Sequence, residues 1–350
     1  MARIGVNALY LLPGGVGGTE IYLRSLLAAL AQIDSNNEYW IFTNRETGSD
    51  LVPQQANFHW KPQPVRAANR PWRLLWEQTG LPLAARGLDV LFNPGFTAPA
   101  CCPCPCITVF HDLQHKRFPQ YFRWLDLPFW NFFLWIAVKR SGKLIAVSEA
   151  TRQDLRRYYD ADATVIHHGV DPAFLAMPAG RASQDYILCV STLHPHKNLE
   201  RLLHVYANTP KLPHLVIAGM KGFAAKRIEA LAGDHVRVTG WIPREELYRL
   251  FLGARAFIYP SSFEGFGIPV LEAMAASIPV ACSDIPPLRE IAGDTVVYFD
   301  PSDDVAMSSA LRQVVDDRSR VDAARARAAE FSWEKCARET LAVLTGGAGL

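Results

Sequence analysis

The sequence predicts an α/β protein of two doubly wound domains, each built on a parallel sheet. Short β-rich apolar runs alternate with segments of helical period through most of the chain, the pattern of successive βα units. At 350 residues the chain is more than twice a typical single domain, so two cores are expected. Over residues 171–184 the periodicity lapses and Pro172, Pro178, Gly180 and Ser183 mark a linker, after which a second series of runs begins.

The first series opens with a strand at 4–8, a Gly-rich turn, and a helix whose Ile21, Leu26, Leu27, Leu30 and Ile33 recur at helical spacing. Further strands are expected at 39–43, 89–92, 107–110 and 143–147, with helices around 72–86, 124–140 and 149–158. The second series gives strands at 186–190, 214–218, 235–239, 256–259, 279–282 and 296–299, each followed by a helical or turn segment. The stretch 321–344 is helical by composition, with Phe331 and Trp333 able to anchor it on a core. These patterns set the expected domains at 1–172 and 185–320, followed by a helical tail over 321–350.

Composition excludes several classes of function. With 36 basic and 34 acidic side chains the net charge is +2, too balanced for a nucleic-acid partner, and none is expected. The start carries one early Arg and a short apolar run, without the long apolar region and cleavage site of a signal peptide. The most apolar stretch, 127–138, is far short of the ~20 residues that span a bilayer. A cytoplasmic protein is therefore expected. Of seven cysteines, four crowd into 101–106, which is neither a disulfide framework nor zinc-ligand spacing; a loop before a strand is expected there.

The most informative segment, PSSFEGFGIPVLEAM, begins at Pro260 where an apolar strand ends. A Gly-bearing turn that opens a helix points backbone N–H groups outward, an arrangement suited to a diphosphate, and Gly265 and Gly267 permit close approach. Glu264 precedes the turn and Glu272 lies inside the helix, so the two carboxylates can address different parts of one extended ligand. Taken alone, both glutamates could equally be solvated at a helix start, where the dipole favours acidic residues.

The longer string SSFEGFGIPVLEAMAASIPVACSDIPPLREIAGD closely resembles the E-x7-E region of retaining, nucleotide-sugar-dependent glycosyltransferases of family 4. The segments GGVGGTE, HDLQHKRFP, VIHHGVD, VSTLHPHKNLERLL and VRVTGWIPREELYRLF match the same family in the same order, so the resemblance covers nearly the whole chain. Within that family, HDLQH with a TLxPxKN loop is similar to bacterial enzymes that build cell-surface polysaccharides, often mannosyltransferases. The resemblance implies the GT-B fold, two Rossmann-like domains facing a central cleft. It further implies donor binding on the C-terminal domain, an acceptor site that is mainly N-terminal, and front-face transfer of a hexose with retention.

By the same resemblance, Glu272 binds the ribose diol and Glu264 contacts the donor sugar. Backbone groups of Gly265, Phe266, Gly267 and Ile268 meet the phosphates and sugar, and Lys197 is the diphosphate-binding lysine, a role that suits the charge gathering on a leaving nucleoside diphosphate. His111 resembles the histidine beside the donor sugar, and the 15–18 loop, with Gly17 and Gly18, closes near the phosphates. Trp241 and Ile242 lie in the turn that reads the nucleobase. Thr192 or His196 stands where many relatives carry a second cation, a role His196 fills only when protonated. His111, Lys197 and Glu264 are thus the expected catalytic residues.

Several competing signals are set aside. Asp160-Ala161-Asp162 has the D-x-D form of a metal-binding pair but follows a helix and precedes a strand, the wrong end for a ligand crevice. No metal and no other cofactor are expected. The GGVGG run is no dinucleotide fingerprint, since its last glycine falls at Glu20. The expected partners are a nucleotide-sugar donor, with GDP-mannose or UDP-glucose as the type, and a glycan or lipid-linked acceptor. The aromatic and basic segment 121–140 suggests peripheral contact with the inner membrane surface, or alternatively a wide core-facing helix. The rival functions are an epimerase on the same fold and a catalytically silent nucleotide-sugar-binding subunit.

Overall fold

The structure, a computed structural model, describes residues 1–15, 17–178 and 184–346. It divides into two compact units, one formed by Met1–Gly169 with Ser332–Leu350 and the other by Val170–Phe331. Unit 1 runs β1 (Arg3–Ala8), α1 (Gly18–Ile33), β2 (Glu38–Thr43), β3 (Phe58–Pro62), α2 (Arg70–Ala84), β4 (Val90–Asn93) and β5 (Cys106–Phe110). It continues through α3 (Gln114–Arg117), α4 (Leu127–Arg140), β6 (Ser141–Ala146), α5 (Glu149–Tyr159) and β7 (Thr164–Val165). Its seven strands are all parallel, in the order β3-β2-β1-β4-β5-β6-β7.

Unit 2 runs α6 (Pro172–Leu175), β8 (Tyr186–Val190), α7 (Leu199–Ala207), β9 (His214–Ala218), α8 (Ala225–Leu231), β10 (Val236–Gly240) and α9 (Arg244–Gly253). Then follow β11 (Ala256–Tyr259), α10 (Ile268–Ala275), β12 (Val280–Ser283), α11 (Pro286–Ala292), β13 (Val297–Phe299), α12 (Asp304–Asp316) and α13 (Val321–Ala329), after which α14 (Trp333–Leu344) rejoins unit 1. The sheet is again parallel, ordered β10-β9-β8-β11-β12-β13. Strands such as β8 and β11 are continuous apolar runs because helices cover both faces of a parallel sheet. In each sheet the chain order reverses once, between β1 and β4 and between β8 and β11, and ligand crevices in such sheets open outside the carboxyl ends of those strands.

The domain limits differ from those expected. The division falls at Gly169 and Val170 because Asp171 is ion-paired with Arg244 inside unit 2. Residues 179–183 of the expected linker lie outside the described residues. The expected tail over 321–350 is not one element. Phe331 is buried in unit 2 with its ring 6.1 Å from that of Phe266, and Ser332 then caps α14 through a hydrogen bond from Lys335 N. Trp333, one residue later, packs in unit 1 near Tyr22 and His168. Two strands escape the sequence pattern: β3, an edge strand with three exposed residues, and β7, only two residues long.

Candidate active site

In unit 2 the loops that follow β8 and β11 are tied together at the reversal point of the sheet. Ser262 donates to the carbonyl of His196 from both its backbone N–H and its hydroxyl, each at 2.8 Å, and Ser261 Oγ adds a longer bond to the same oxygen. Across this seam Lys197 Nζ lies 2.6 Å from Glu264 Oε1 and donates to the Tyr259 hydroxyl at 3.3 Å. The Lys197 and Glu264 side chains are only 13% and 10% exposed, so the pair sits where a charge left alone is costly. Burial and the nearby Glu264 charge hold the Tyr259 phenol well above its usual range, so it stays neutral.

Gly267 caps α10 with φ near 117°, and a Cβ there would come within 2.5 Å of Leu288 Cδ2, so the turn requires glycine. Its consequence is a helix N-terminus presented directly after β11, with Gly265, Phe266, Gly267 and Ile268 forming the turn. Such an end favours an anion through its N–H groups and its dipole. Glu272, one step deeper in α10, is buried and ion-paired with Arg244 Nη2 at 3.0 Å. Burial pushes the Glu272 carboxyl up to about 7, while Arg244 pulls it back. The same Arg244 nitrogen lies 2.9 Å from Asp171 Oδ2, which also accepts from the Tyr248 hydroxyl.

Arg244 is the residue that sequence reasoning missed. The signal available was indirect: a glutamate inside an otherwise apolar helix needs a buried cation, but nothing in the spacing says which.

Thr192, His196, Lys197, Glu264, the 265–268 turn and Glu272 thus gather in one region of unit 2. Thr192 contributes its carbonyl to the loop, accepting from His194 N. Trp241 and Ile242 follow β10 at the far edge of the sheet, with Trp241 61% exposed. His196 is expected to act as a second cation only when protonated, and its surroundings oppose protonation. Burial, then Lys197, then His194 push its imidazole down to about 2, so it is neutral near pH 7 and supplies its carbonyl to the serines instead.

His111, Gly17 and Gly18 belong to unit 1. His111 follows β5 and is buried; its Nε2 donates to the Pro94 carbonyl at 2.8 Å, which leaves Nδ1 as an acceptor. Burial pushes the ring down to about 4, so it is a neutral imidazole, packed edge-on against Tyr22. Gly17 caps α1 with φ 59°, and Gly18 is the first residue of that helix. Val16 of this loop lies outside the described residues.

The signals set aside find ordinary partners. Asp162 of the D-x-D string accepts from Arg152 at 2.8 Å and Arg156 at 3.0 Å. The cysteine-rich stretch forms the approach to β5, with Cys104 and Cys106 buried and Cys102 Sγ 3.6 Å from Cys104 Sγ.

Comparison with known proteins bears on the family and the fold. The model of "Glycosyltransferase Family 4" matches residues 16–174 and that of "Glycosyl transferases group 1" matches residues 178–331. The O-antigen chain mannosyltransferase B of Escherichia coli is 29% identical over 262 residues, 67% of this chain and 68% of that protein. The O-antigen chain mannosyltransferase RfbU of Salmonella typhimurium is 28% identical over 218 residues, which is 59% of this chain and 60% of that one, less than two thirds of its length. Among solved structures, sucrose-phosphate synthase from Thermosynechococcus elongatus superposes with a TM-score of 0.80 at 20% identity, covering 99% of both chains. With one model matched to each half of the chain and the fold shared throughout, the protein belongs to the GT-B glycosyltransferases that join a family 4 N-terminal domain to a group 1 C-terminal domain.

Proposed function

We propose that the protein transfers a hexosyl group, with retention, from a nucleoside diphosphate sugar of the GDP-mannose or UDP-glucose type to a glycan or lipid-linked acceptor of a surface polysaccharide. The observation that carries this reading is the Lys197–Glu264 pair beside the glycine turn into α10. It offers a cation and a helix N-terminus for the leaving diphosphate, and a carboxylate for sugar hydroxyls. Glu272 takes the ribose diol, and Trp241 and Ile242 border the base. The departing phosphate deprotonates the acceptor as the sugar passes through an oxocarbenium-like state, with neutral His111 as a polar contact to the sugar. Unit 1 takes the acceptor. The mannosyltransferase activity of the relatives in Escherichia coli and Salmonella favours mannose as the sugar.

The reaction is assigned no metal, because Lys197 and backbone N–H groups supply the positive charge. The test is product analysis with each nucleotide sugar, alone and then with acceptor, in excess EDTA, reading the anomeric configuration by NMR. Transfer with retention in EDTA is expected. Conversion of the donor without an acceptor, inversion, or a strict Mg²⁺ or Mn²⁺ requirement would overturn the reading.

A further inference from the structure

The reversal point of the unit 1 sheet holds a buried polar group that the proposed donor chemistry does not use. Asn7 at the end of β1 donates to Glu77 Oε1 on α2 and to Asn93 Oδ1 at the end of β4, both at 3.0 Å. All three side chains are at most 4% exposed. One turn earlier on α2, Arg73 is 8% exposed and its Nε has no hydrogen-bond partner among the described residues. A buried guanidinium N–H without an acceptor loses its hydration and gains nothing for it. Glu77 acts on Arg73 as a counter-charge, but its Oε1 accepts from Asn7 and Arg73 Nε makes no hydrogen bond to it.

The surroundings extend the same cationic feature. Arg70, at the start of α2, lies 3.9 Å over the Trp130 ring, and burial and Arg73 both hold its pKa below the ordinary value. Both arginines sit in the first turns of a 15-residue helix, at its positive end. Tyr10, in the loop after β1, packs so closely on the loop after β4 that a Cβ at Gly95 would meet its ring at 2.2 Å. The charged groups that bear on the two arginines are Glu77 and Asp126, and the Tyr10 phenol is held neutral by burial. The position is the one at which parallel α/β sheets bind ligands.

We propose that the carboxyl end of β1 and β4 is an oxyanion subsite, in which Arg73 and Arg70 take a phosphate or carboxylate group carried by the acceptor. This rests on the reading that unit 1 takes the acceptor, and it adds the chemical class: an acceptor bearing an oxyanion. A planar guanidinium matches two oxygens of such a group at once, which is the use that an Arg73 lacking an acceptor at Nε is shaped for.

The test is calorimetric titration of the full-length protein with methyl phosphate and, separately, sodium acetate, with GDP or UDP saturating so that the Lys197 region is filled. Sodium chloride at matched ionic strength is the control. One equivalent of methyl phosphate or acetate is expected to bind, and whichever binds tighter names phosphate or carboxylate as the group. Arg73→Gln is expected to weaken that binding at least tenfold, and Arg70→Gln, which leaves the Arg73 and Glu77 neighbourhood intact if the first variant does not fold, at least threefold. Arg73→Gln is expected to lower Tm, because the buried Glu77 loses the cation that favours its ionisation, so binding is read at a temperature where the variant is folded. Absence of binding by both probes, or binding unchanged in the variants, would overturn the proposal. Because the titration reads no turnover, failure of the subsite and failure of the transfer reaction are separately visible.

Discussion

Glu264 shares its charge with Lys197, whereas Glu272 is buried against Arg244, and these different pairings give the two carboxylates different tests. Removing Lys197 would strand Glu264, and breaking a buried pair costs roughly 3–5 kcal/mol of stability, so a neutral isostere is the cleaner probe. Glu264→Gln is expected to lower turnover by ~10²-fold or more while leaving nucleoside diphosphate affinity nearly intact, as for a group that contacts the reacting sugar. Wild-type turnover in that variant would end its assignment. Glu272 should respond to pH instead. Ribose hydroxyls donate best to its ionised form, so nucleoside diphosphate affinity should decline as pH falls below about 7, where this carboxyl takes up its proton. Its effect on stability has the opposite sign: the folded value lies above the ordinary 4.5, so protonation favours the native state, and that contribution is present at low pH and lost as pH rises through about 7. Arg244→Met should move the binding midpoint upward, because the cation that favours ionisation is gone, and Glu272→Gln should flatten this part of the profile. Calorimetry from pH 5.5 to about 9 decides it; an unmoved midpoint in Arg244→Met would show that the arginine does not tune the carboxylate.

At the scale of elements, α4 presents two faces. Leu134, Ala137 and Val138 are buried against Phe110, Leu144 and Leu155, while Phe129, Phe132 and Trp135 stand exposed on the opposite stripe with Lys139 beyond them. Trp124 and Leu125, just ahead of the helix, are 77% and 59% exposed. The alternative of a wide core-facing helix does not account for these exposed aromatics, and with Arg123, Lys139 and Arg140 beside them they motivate a test for an anionic lipid interface. Among the described residues no helix is long and apolar enough to cross a membrane. Co-sedimentation with anionic liposomes at low salt is expected, lost with neutral liposomes and weakened in a variant combining Trp124→Ala, Phe132→Ala and Trp135→Ala; equal pelleting by all three would argue for an acceptor met in solution. The inner face of this helix was readable from its apolar content, but which aromatics turn outward depends on what packs against it. The same limit applies to strands. Residues 186–190, 214–218 and 256–259 match their elements to the residue because both faces are covered and the runs are continuously apolar. The edge strand β3 has Trp60, Lys61 and Pro62 exposed and leaves no such run.

At the scale of the molecule, the proposed duties divide between the two units. Apart from Gly17 and Gly18 of unit 1, the residues expected at the nucleotide, from Thr192 through Glu272, belong to unit 2; all but Glu272, inside α10, lie at the turns that follow β8, β10 and β11, where the strand pattern itself marks the carboxyl edge. What stayed hidden were partners supplied by separate elements: Arg244 for Glu272, and Asn7 and Asn93 around Glu77, contacts that only the folded sheet order creates. His111 stands apart from the unit 2 set because it belongs to unit 1, as a neutral ring with Nδ1 left to accept a hydroxyl. If nucleotide binding is the work of unit 2 alone, His111→Ala should leave nucleoside diphosphate affinity within about twofold of wild type, since the diphosphate lacks the sugar that His111 is proposed to contact. Turnover with donor and acceptor should nevertheless fall by ~10²-fold or more, the scale of loss when a contact that positions the reacting sugar is removed. The ring packs against Tyr22 and His168, so Tm is measured alongside to confirm that the variant is folded at the assay temperature. Titration with the diphosphate and single-turnover kinetics on the same preparation separate the outcomes. A loss of affinity as large as the loss of rate would mean that the nucleotide site extends to unit 1, and unchanged turnover would remove His111 from the reaction.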